Sequence, residues 1–221
     1  MPDVKPPAAG VLATPHRAVL PAGTTLWRVH STAHPVTSFN PFPADTHYEG
    51  GRFCSYEGDG EHLPYLYAGF SERTALMETL VRSLPFAEGG WRWIKRAAVR
   101  GKVLTRIETT CDIPLVDLLR MDQLAAVHQD EWLIQSPPRD YPNTRRWAAW
   151  IRGQAPWSQG LRWPSKRDLE GVSCILYERD GAAGLVKPAE SEPIPLDTAA
   201  GAVLLNRVLA PLKITIDPPG R

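Results

Sequence analysis

The chain of 221 residues has little cysteine, and this scarcity excludes two kinds of architecture. Its three cysteines, Cys54, Cys111 and Cys174, are odd in number and lie far apart in the sequence. A disulfide-stapled secreted fold needs an even set of cysteines, and a structural zinc site needs closely spaced pairs. We therefore expect a reducing compartment and predict a cytoplasmic location.

Long hydrophobic runs are also missing. No stretch of about 20 apolar residues is available to cross a bilayer. The first 23 residues are rich in proline and alanine, and they lack an apolar core of the length found in signal peptides. We predict no association with membranes; export by a route that needs no signal peptide stays open.

An excess of charge of either sign is absent, since 25 Lys and Arg residues balance 24 Asp and Glu residues to a formal net charge of +1. Such a chain has no broad cationic field to hold phosphate backbones. We therefore predict that the protein by itself binds no nucleic acid. His30 and His34 are four residues apart, but a strand that runs into a loop does not place them on one face, so we predict no metal site.

The residues that are present predict a series of short elements. Residues 1–23 are expected to form a poorly ordered lead, and residues 24–221 a single domain. Strands are predicted at residues 24–30, 52–56, 64–68, 172–177 and 212–216, with one or two more within 91–109. Helices are predicted at residues 71–83, 115–128 and 144–153, while residues 199–208 fit either a helix or a strand.

These elements do not alternate as they would in a doubly wound parallel sheet, and no Gly-x-Gly-x-x-Gly follows a strand. The predicted fold class is therefore α+β. A phosphate-binding lysine loop, a Gly-x-Ser-x-Gly elbow and a His-Glu-x-x-His pair are absent as well. These absences argue against common phosphoryl-transfer enzymes, serine hydrolases and zinc peptidases.

Four motifs follow one another along the chain: LWRVH at residues 26–30, GGRF at 50–53, YLYAGFSERTALMETLV at 65–81 and LRWPS at 161–165. Together they resemble the RES-domain family, named for its Arg, Glu and Ser, whose members are toxins of bacterial toxin–antitoxin pairs. Trp27 and Trp163 replace tyrosines that are usual in the first and last motifs. The resemblance extends over residues 24–216.

The resemblance implies a fold similar to the ADP-ribosylating toxins, with a split, curved, mostly antiparallel sheet and flanking helices. It implies that residues 24–221 form a catalytic domain that degrades NAD by cleaving the nicotinamide–ribose bond, with water or phosphate as the acceptor of ADP-ribose. No cofactor is implied beyond NAD as substrate. The implied partner is a cognate antitoxin protein with a helix-turn-helix domain. The family's functional residues carry over as Arg28, Arg52, Tyr67, Glu78 and Ser165.

Two of these roles follow from charge. Glu78 lies at the edge of an apolar helical stripe, where a half-buried carboxylate can stabilise positive charge on the ribose; pairing with Arg82 one turn on is the alternative. Arg28 and Arg52 can bind the diphosphate, because a guanidinium matches phosphate oxygens bidentately. Arg162 could take the same role.

The other roles follow from shape and hydrogen bonding. Tyr67, with Tyr65 as a possible substitute, and then Trp163 are candidates to stack on the flat, cationic nicotinamide. Ser165 could bond the ribose, position Glu78, or merely cap a helix. An ADP-ribosyltransferase acting on a protein, a non-catalytic interaction module and a nuclease-type toxin with histidine chemistry remain as other functions.

Overall fold

The structure, a computed structural model of the chain, describes residues 5–8, 10–44, 50–56, 62–81, 84–179 and 184–218. The strands are β1 (Arg17–Leu20), β2 (Thr25–Ser31), β3 (Tyr65–Gly69), β4 (Arg92–Trp93), β5 (Lys102–Thr109), β6 (Ile113–Asp117), β7 (Gly160–Pro164), β8 (Val172–Tyr177), β9 (Val186–Pro188), β10 (Ile194–Pro195) and β11 (Ile214–Thr215). The helices are α1 (Glu72–Leu80), α2 (Arg96–Val99), α3 (Met121–Ala125), α4 (Trp132–Gln135), α5 (Tyr141–Gln154) and α6 (Ala199–Leu209).

Nine of the strands form one sheet in the order β1-β6-β7-β8-β3-β2-β5-β10, and β9 also pairs with β5. Within the described residues, all pairs of this sheet are antiparallel except that of β6 with β7. Strands β4 and β11 form a separate parallel pair. The sheet curls into a half-barrel with helices around it, which confirms the predicted α+β fold with a curved, mostly antiparallel sheet.

The large sheet splits between β2 and β3. These two strands meet at a single pair of residues, Trp27 and Gly69. Away from that point β2 stays bonded to β5 and β3 stays bonded to β8, and Tyr65 at the start of β3 bridges to Asn40 instead of β2. An opening therefore forms in the middle of the sheet without breaking its two halves.

Alternation along the strands assigns each side chain to one of two faces. Leu26 and Leu66 belong to a core cluster on one face. Trp27, Val29 and Tyr67 lie on the other face and pack against the clusters that include residues of α1, α5 and α6. The residues of β2 that follow one another in the sequence therefore face different environments.

Helix α1 confirms the N-terminal signal in the sequence. The hydroxyl of Ser71 accepts the backbone N–H of Thr74 at 3.0 Å, and Leu76 and Leu80 are buried. Glu78 is half buried, as its position beside the apolar stripe predicts. Arg82, the alternative partner for Glu78, lies outside the described residues.

Several other predicted elements are confirmed. Residues 172–177 form β8 with the predicted bounds, residues 24–30 and 64–68 correspond to β2 and β3, and residues 144–153 lie within α5. The ambiguous stretch 199–208 is the helix α6. Residues 91–109 contain β4 and β5 with α2 between them, and the predicted strand 212–216 is the short β11.

The strand predicted at residues 52–56 is wrong, because residues 52–53 form a turn and only Tyr56 pairs with another segment, in an isolated bridge to Ala44. The carbonyl groups of residues 51–53 accept hydrogen bonds from side chains. Arg145 Nε donates to the Gly51 carbonyl at 3.1 Å, Thr144 Oγ1 donates to the Arg52 carbonyl at 2.7 Å, and the Tyr177 hydroxyl donates to the Phe53 carbonyl at 2.6 Å. Side chains of α5 and β8 therefore shape the GGRF segment.

The helix predicted at residues 115–128 is also wrong over its first half. Residues up to Asp117 belong to β6, which pairs with β1 and β7, and the helix α3 begins only at Met121. A short apolar run fits either structure by its spacing, and the two available strand partners decide the outcome.

The N-terminal lead differs from the expectation of poor order. Residues Arg17–Leu20 form β1, the edge strand of the large sheet, which pairs with β6. The segment contains few apolar residues, among them Ala18 and Val19, so its sequence carries no strong strand signal. Its order comes from the hydrogen bonds that it forms with the edge of β6. Residues 1–4 and 9 lie outside the described part of the chain.

Candidate active site

A cavity of about 570 Å³ opens where β2 and β3 separate. Its volume lies within the range of small-molecule sites. Helix α1, strands β3, β7 and β8, the GGRF turn and the start of α5 contribute to its walls. The lining residues include four of the predicted site residues: Arg52, Tyr67, Glu78 and Trp163.

Glu78 projects from α1 into this cavity and is held by Ser165. The hydroxyl of Ser165 donates to Glu78 Oε1 at 2.5 Å. The same hydroxyl oxygen accepts the backbone N–H groups of Arg167 at 3.1 Å and Asp168 at 3.0 Å. A hydroxyl has one hydrogen and two lone pairs, so these two acceptor contacts leave only its hydrogen for Glu78. Glu78 is therefore the acceptor of this bond.

Ser165 is itself completely buried and does not line the cavity. Of the roles predicted for it, the structure supports the positioning of Glu78 and not a direct bond to ribose. Its place is fixed by the turn between β7 and β8, in which Ser165 N–H donates to the Gly171 carbonyl at 2.8 Å. The role of Ser165 as a direct ligand of NAD stays a prediction.

A second contact between the same two segments was not predicted. The Thr74 hydroxyl on α1 donates to Asp168 Oδ2 at 2.7 Å, and Arg73 forms an ion pair with Asp168 Oδ1 at 2.7 Å. The sequence signal available for this contact was spacing: Thr74 lies four residues before Glu78 on the helix, and Asp168 lies three residues after Ser165 in the turn. Both contacts fix the turn to α1.

Arg52 lines the cavity and is only 5% exposed. Its guanidinium lies over the ring of Tyr141 at 5.2 Å and donates weakly to the Tyr141 hydroxyl at 3.4 Å and to the Ser136 carbonyl at 3.5 Å. The Ser136 carbonyl also accepts from Lys166 at 3.1 Å. Two cations therefore share one acceptor beside the cavity.

The charges around this acceptor interact with one another. Burial lowers the pKa of Lys166, and the neighbouring charges of Arg52 and Arg167 lower it further, while the Glu78 carboxylate raises it. Glu78 thus lies close enough to Lys166 for the two charges to interact.

Tyr67 explains why the second glycine of the GGRF motif has no side chain. A Cβ at Gly51 would lie 2.4 Å from the Tyr67 hydroxyl oxygen. That oxygen accepts the backbone N–H of Phe53 at 3.0 Å, and burial together with Cys54 holds the pKa of Tyr67 well above its ordinary value. The phenol is therefore protonated, its hydroxyl is directed at the turn, and its ring is left to form the cavity wall.

Tyr65 and Trp163 flank Tyr67 in edge-to-face contacts, with ring centroids 5.9 and 6.1 Å away. All three rings line the cavity, so the choice of Tyr67 over Tyr65 is not exclusive. Trp163 also contacts the buried ring of Phe53 at 4.8 Å. The aromatic wall is thus continuous along β3 and β7.

Arg28 is not brought together with these residues. It lies on the opposite face of β2, next to Thr105 of β5, and its guanidinium donates to the carbonyls of Val36 and, at 2.9 Å, Ser38. Burial lowers its pKa to about 10. Arg28 does not line the cavity and holds the loop after β2, and its role as a diphosphate ligand stays a prediction.

Arg162 is engaged elsewhere as well, because it forms a bidentate ion pair with the buried Asp117 at 3.0 and 2.6 Å.

Lys102 is a cation at the cavity that the sequence analysis did not identify. Lys102, at the start of β5, lines it together with Val29 of β2, and the amine forms no ion pair with the described residues. A single lysine in a strand carries no sequence signal of such a role.

Within the described ranges no group of three or more His, Cys, Asp or Glu side chains could hold a metal ion. His30 bonds to the Thr105 hydroxyl on the face away from the cavity. None of the helices that the structure describes is long and apolar enough to span a membrane.

Comparison with solved structures finds the same fold in a chain of the crystal structure of the M. tuberculosis MbcT–MbcA toxin–antitoxin complex, with a TM-score of 0.55 and 17% sequence identity. The match covers 80% of this chain and 86% of that one. No curated protein matches the sequence. The sequence model of the RES domain matches residues 25–197, which includes all four motifs and the whole cavity wall from β2 to β8. The chain therefore belongs to the RES-domain family.

Proposed function

We propose that this protein is the toxin of a toxin–antitoxin pair and that it degrades NAD by cleaving the bond between nicotinamide and ribose. The observation that carries the proposal is the carboxylate of Glu78, which is fixed by Ser165 and directed into a cavity that cations and aromatic rings also line. Membership of the RES-domain family supports the same conclusion.

The chemistry assigned to Glu78 is electrostatic. When the glycosidic bond breaks, its electron pair moves to the ring nitrogen of nicotinamide, and the ribose carbon becomes positively charged. A fixed carboxylate stabilises that charge without having to reorganise during the reaction. The oxygen of water or phosphate then bonds to the ribose carbon, and the incoming group loses its proton to solvent. Ser165 keeps the carboxylate in place throughout.

The remaining walls fit the other parts of the dinucleotide. The edge-to-face wall of Tyr65, Tyr67 and Trp163 offers flat apolar surfaces for the nicotinamide ring. Arg52 and Lys102 both line the cavity and supply two positive charges for the diphosphate. Lys102 thereby takes the role first predicted for Arg28.

The partner we propose is a cognate antitoxin with a helix-turn-helix domain, and the location is the cytoplasm, where NAD is present. The similar solved structure is that of a toxin–antitoxin complex, which supports a protein partner. An antitoxin that covers the opening between β2 and β3 would block the access of NAD to Glu78.

The test is incubation of the purified protein with NAD, with and without inorganic phosphate, followed by identification of the products. We expect release of nicotinamide without any protein acceptor, and ADP-ribose or its phosphate as the second product. Glu78→Gln should abolish the release. Glu72→Gln is the matched control, because Glu72 lies on the same helix and pairs with Arg207 away from the cavity.

Two outcomes contradict the proposal. Undiminished nicotinamide release by the Glu78→Gln protein would show that the reaction does not need the carboxylate. Release that occurs only when a protein substrate is added, with ADP-ribose bound to that protein, would identify an ADP-ribosyltransferase instead.

A further inference from the structure

Two polar atoms beside the cavity lack hydrogen-bond partners. Trp163 Nε1 and Ser173 Oγ are enclosed by the protein, and neither has a hydrogen-bond partner. The two residues are 2% and 4% exposed. Enclosed polar atoms are nearly always paired, so an exception calls for an explanation.

The two residues are direct neighbours. Trp163 of β7 pairs with Ser173 of β8 in the antiparallel register, so their side chains stand side by side on one face of the sheet. Both line the cavity. Trp163 is also two residues before Ser165, whose hydroxyl holds Glu78. Trp163 and Ser173 therefore line the same cavity as Glu78.

The chemistry of the pair is specific. An indole N–H only donates a hydrogen bond, whereas a serine hydroxyl oxygen also accepts one. A planar ligand group that presents a carbonyl oxygen and an N–H from one carbon matches both atoms at once. A primary carboxamide is such a group, and it is the substituent that nicotinamide carries on its ring.

We propose that Trp163 and Ser173 recognise the carboxamide of the nicotinamide, the first by donating to its carbonyl oxygen and the second by accepting from its amide N–H. This assignment rests on the proposed function, because it presupposes that NAD occupies the cavity with its nicotinamide near Glu78. It makes the site selective for dinucleotides whose pyridine ring carries an amide.

The test measures dinucleotide binding by calorimetry in the Glu78→Gln background, where turnover does not interfere. The two ligands are NAD and its 3-acetylpyridine analogue, which keeps the carbonyl oxygen but has no N–H to donate. We expect Trp163→Phe to weaken binding of both ligands by about 5- to 20-fold, because each loses the indole donor. Ser173→Ala should weaken binding of NAD by a similar factor and leave the analogue unchanged.

Trp157→Phe is the matched control, since Trp157 is half buried, stacks on Arg17 and does not line the cavity. It should bind both ligands as the parent does. Thermal unfolding of each variant checks the fold. If Trp163→Phe is unstable because it loses the contact between Trp163 and Phe53, the affinities of Ser173→Ala for the two ligands decide alone, since this substitution removes a single oxygen atom.

Equal affinities of the parent, Trp163→Phe and Ser173→Ala for NAD would overturn this inference while leaving the proposed function intact, provided that the wild-type protein consumes NAD. An equal loss for both ligands in Ser173→Ala would likewise overturn the amide contact. Absence of both binding and consumption of NAD would overturn the inference and the proposed function together.

Discussion

The hydroxyl of Ser165 donates to the carboxylate of Glu78 at 2.5 Å, across 87 positions of the chain. This bond joins the turn after β7 to the last turn of α1. Since Ser165 is buried and Glu78 reaches the cavity, the two residues have different tasks. Glu78 faces the cavity, and Ser165 fixes the direction in which Glu78 points.

Removal of that hydroxyl should therefore affect the reaction more than binding. In Ser165→Ala we expect kcat for NAD to fall about 10- to 100-fold, because a displaced catalytic group loses rate steeply, while KM changes little. Steady-state kinetics of nicotinamide release measure both constants. Ser158→Ala is the control, since Ser158 is a buried, hydrogen-bonded serine at the far end of β7. A normal kcat in Ser165→Ala would contradict the positioning role.

The Thr74–Asp168 contact should support the same geometry from one turn away. Asp168→Asn loses the ion pair with Arg73 and weakens the bond from Thr74, so we expect a loss of about 1–3 kcal/mol in the free energy of unfolding together with a lower kcat. Chemical denaturation and kinetics measure the two effects.

Glu170→Gln is its control, because Glu170 also pairs with Arg73 but its side chain is 86% exposed, where ion pairs contribute little. A loss in Glu170→Gln as large as that in Asp168→Asn would show that the surface charge, and not the buried contact, holds the turn.

Substitutions on the two faces of β2 and β5 should have different effects. A change on the cavity face should alter the binding of NAD, and a change on the other face should alter stability. Lys102→Met removes a charge from the cavity, and we expect a several-fold higher KM for NAD with little change in stability. Arg28→Met removes the donor to the Val36 and Ser38 carbonyls, and we expect a loss of about 1 kcal/mol in stability with a smaller change in KM. The opposite pattern would restore Arg28 as the diphosphate ligand.

Cys174 should make the protein less stable in alkaline solution. Burial raises the pKa of this thiol from 9.0 to about 12, with a backbone contact to Ala68 lowering it slightly. Above pH 9 the unfolded chain loses the thiol proton while the folded chain keeps it, so the contribution of Cys174 is complete below pH 9 and disappears towards pH 12. The expected slope is at most about 1.4 kcal/mol per pH unit.

Urea unfolding at several pH values between 8 and 11 measures this slope. Cys174→Ala should show a smaller decrease than the wild type, and Cys111→Ala, at an exposed position, should behave like the wild type. Identical slopes in all three proteins would contradict the assignment.

Local signals in the sequence predicted local structure well. The N-cap Ser71, the stripe through Leu76 and the half-buried Glu78 depend on neighbours within two helical turns, so their environment could be derived from spacing. The turn at Arg52 could not, because its carbonyl groups are bonded by residues about 90 positions away, such as Thr144. Its motif nevertheless pointed to Arg52, which lines the cavity.

The sequence by itself determined the α+β class, the helix that carries Glu78 and the four motifs whose residues surround one cavity. Tertiary structure alone decided which face of β2 or β5 each residue occupies, and thus that Arg28 holds a loop while Lys102 lines the cavity. The physical reason is that strand side chains alternate with a period of two, so the choice of face depends on register with distant strands. The contacts of Ser165 with Glu78 and of Asp168 with Thr74 join a turn to a helix that is distant in the sequence, so they too depend on tertiary packing.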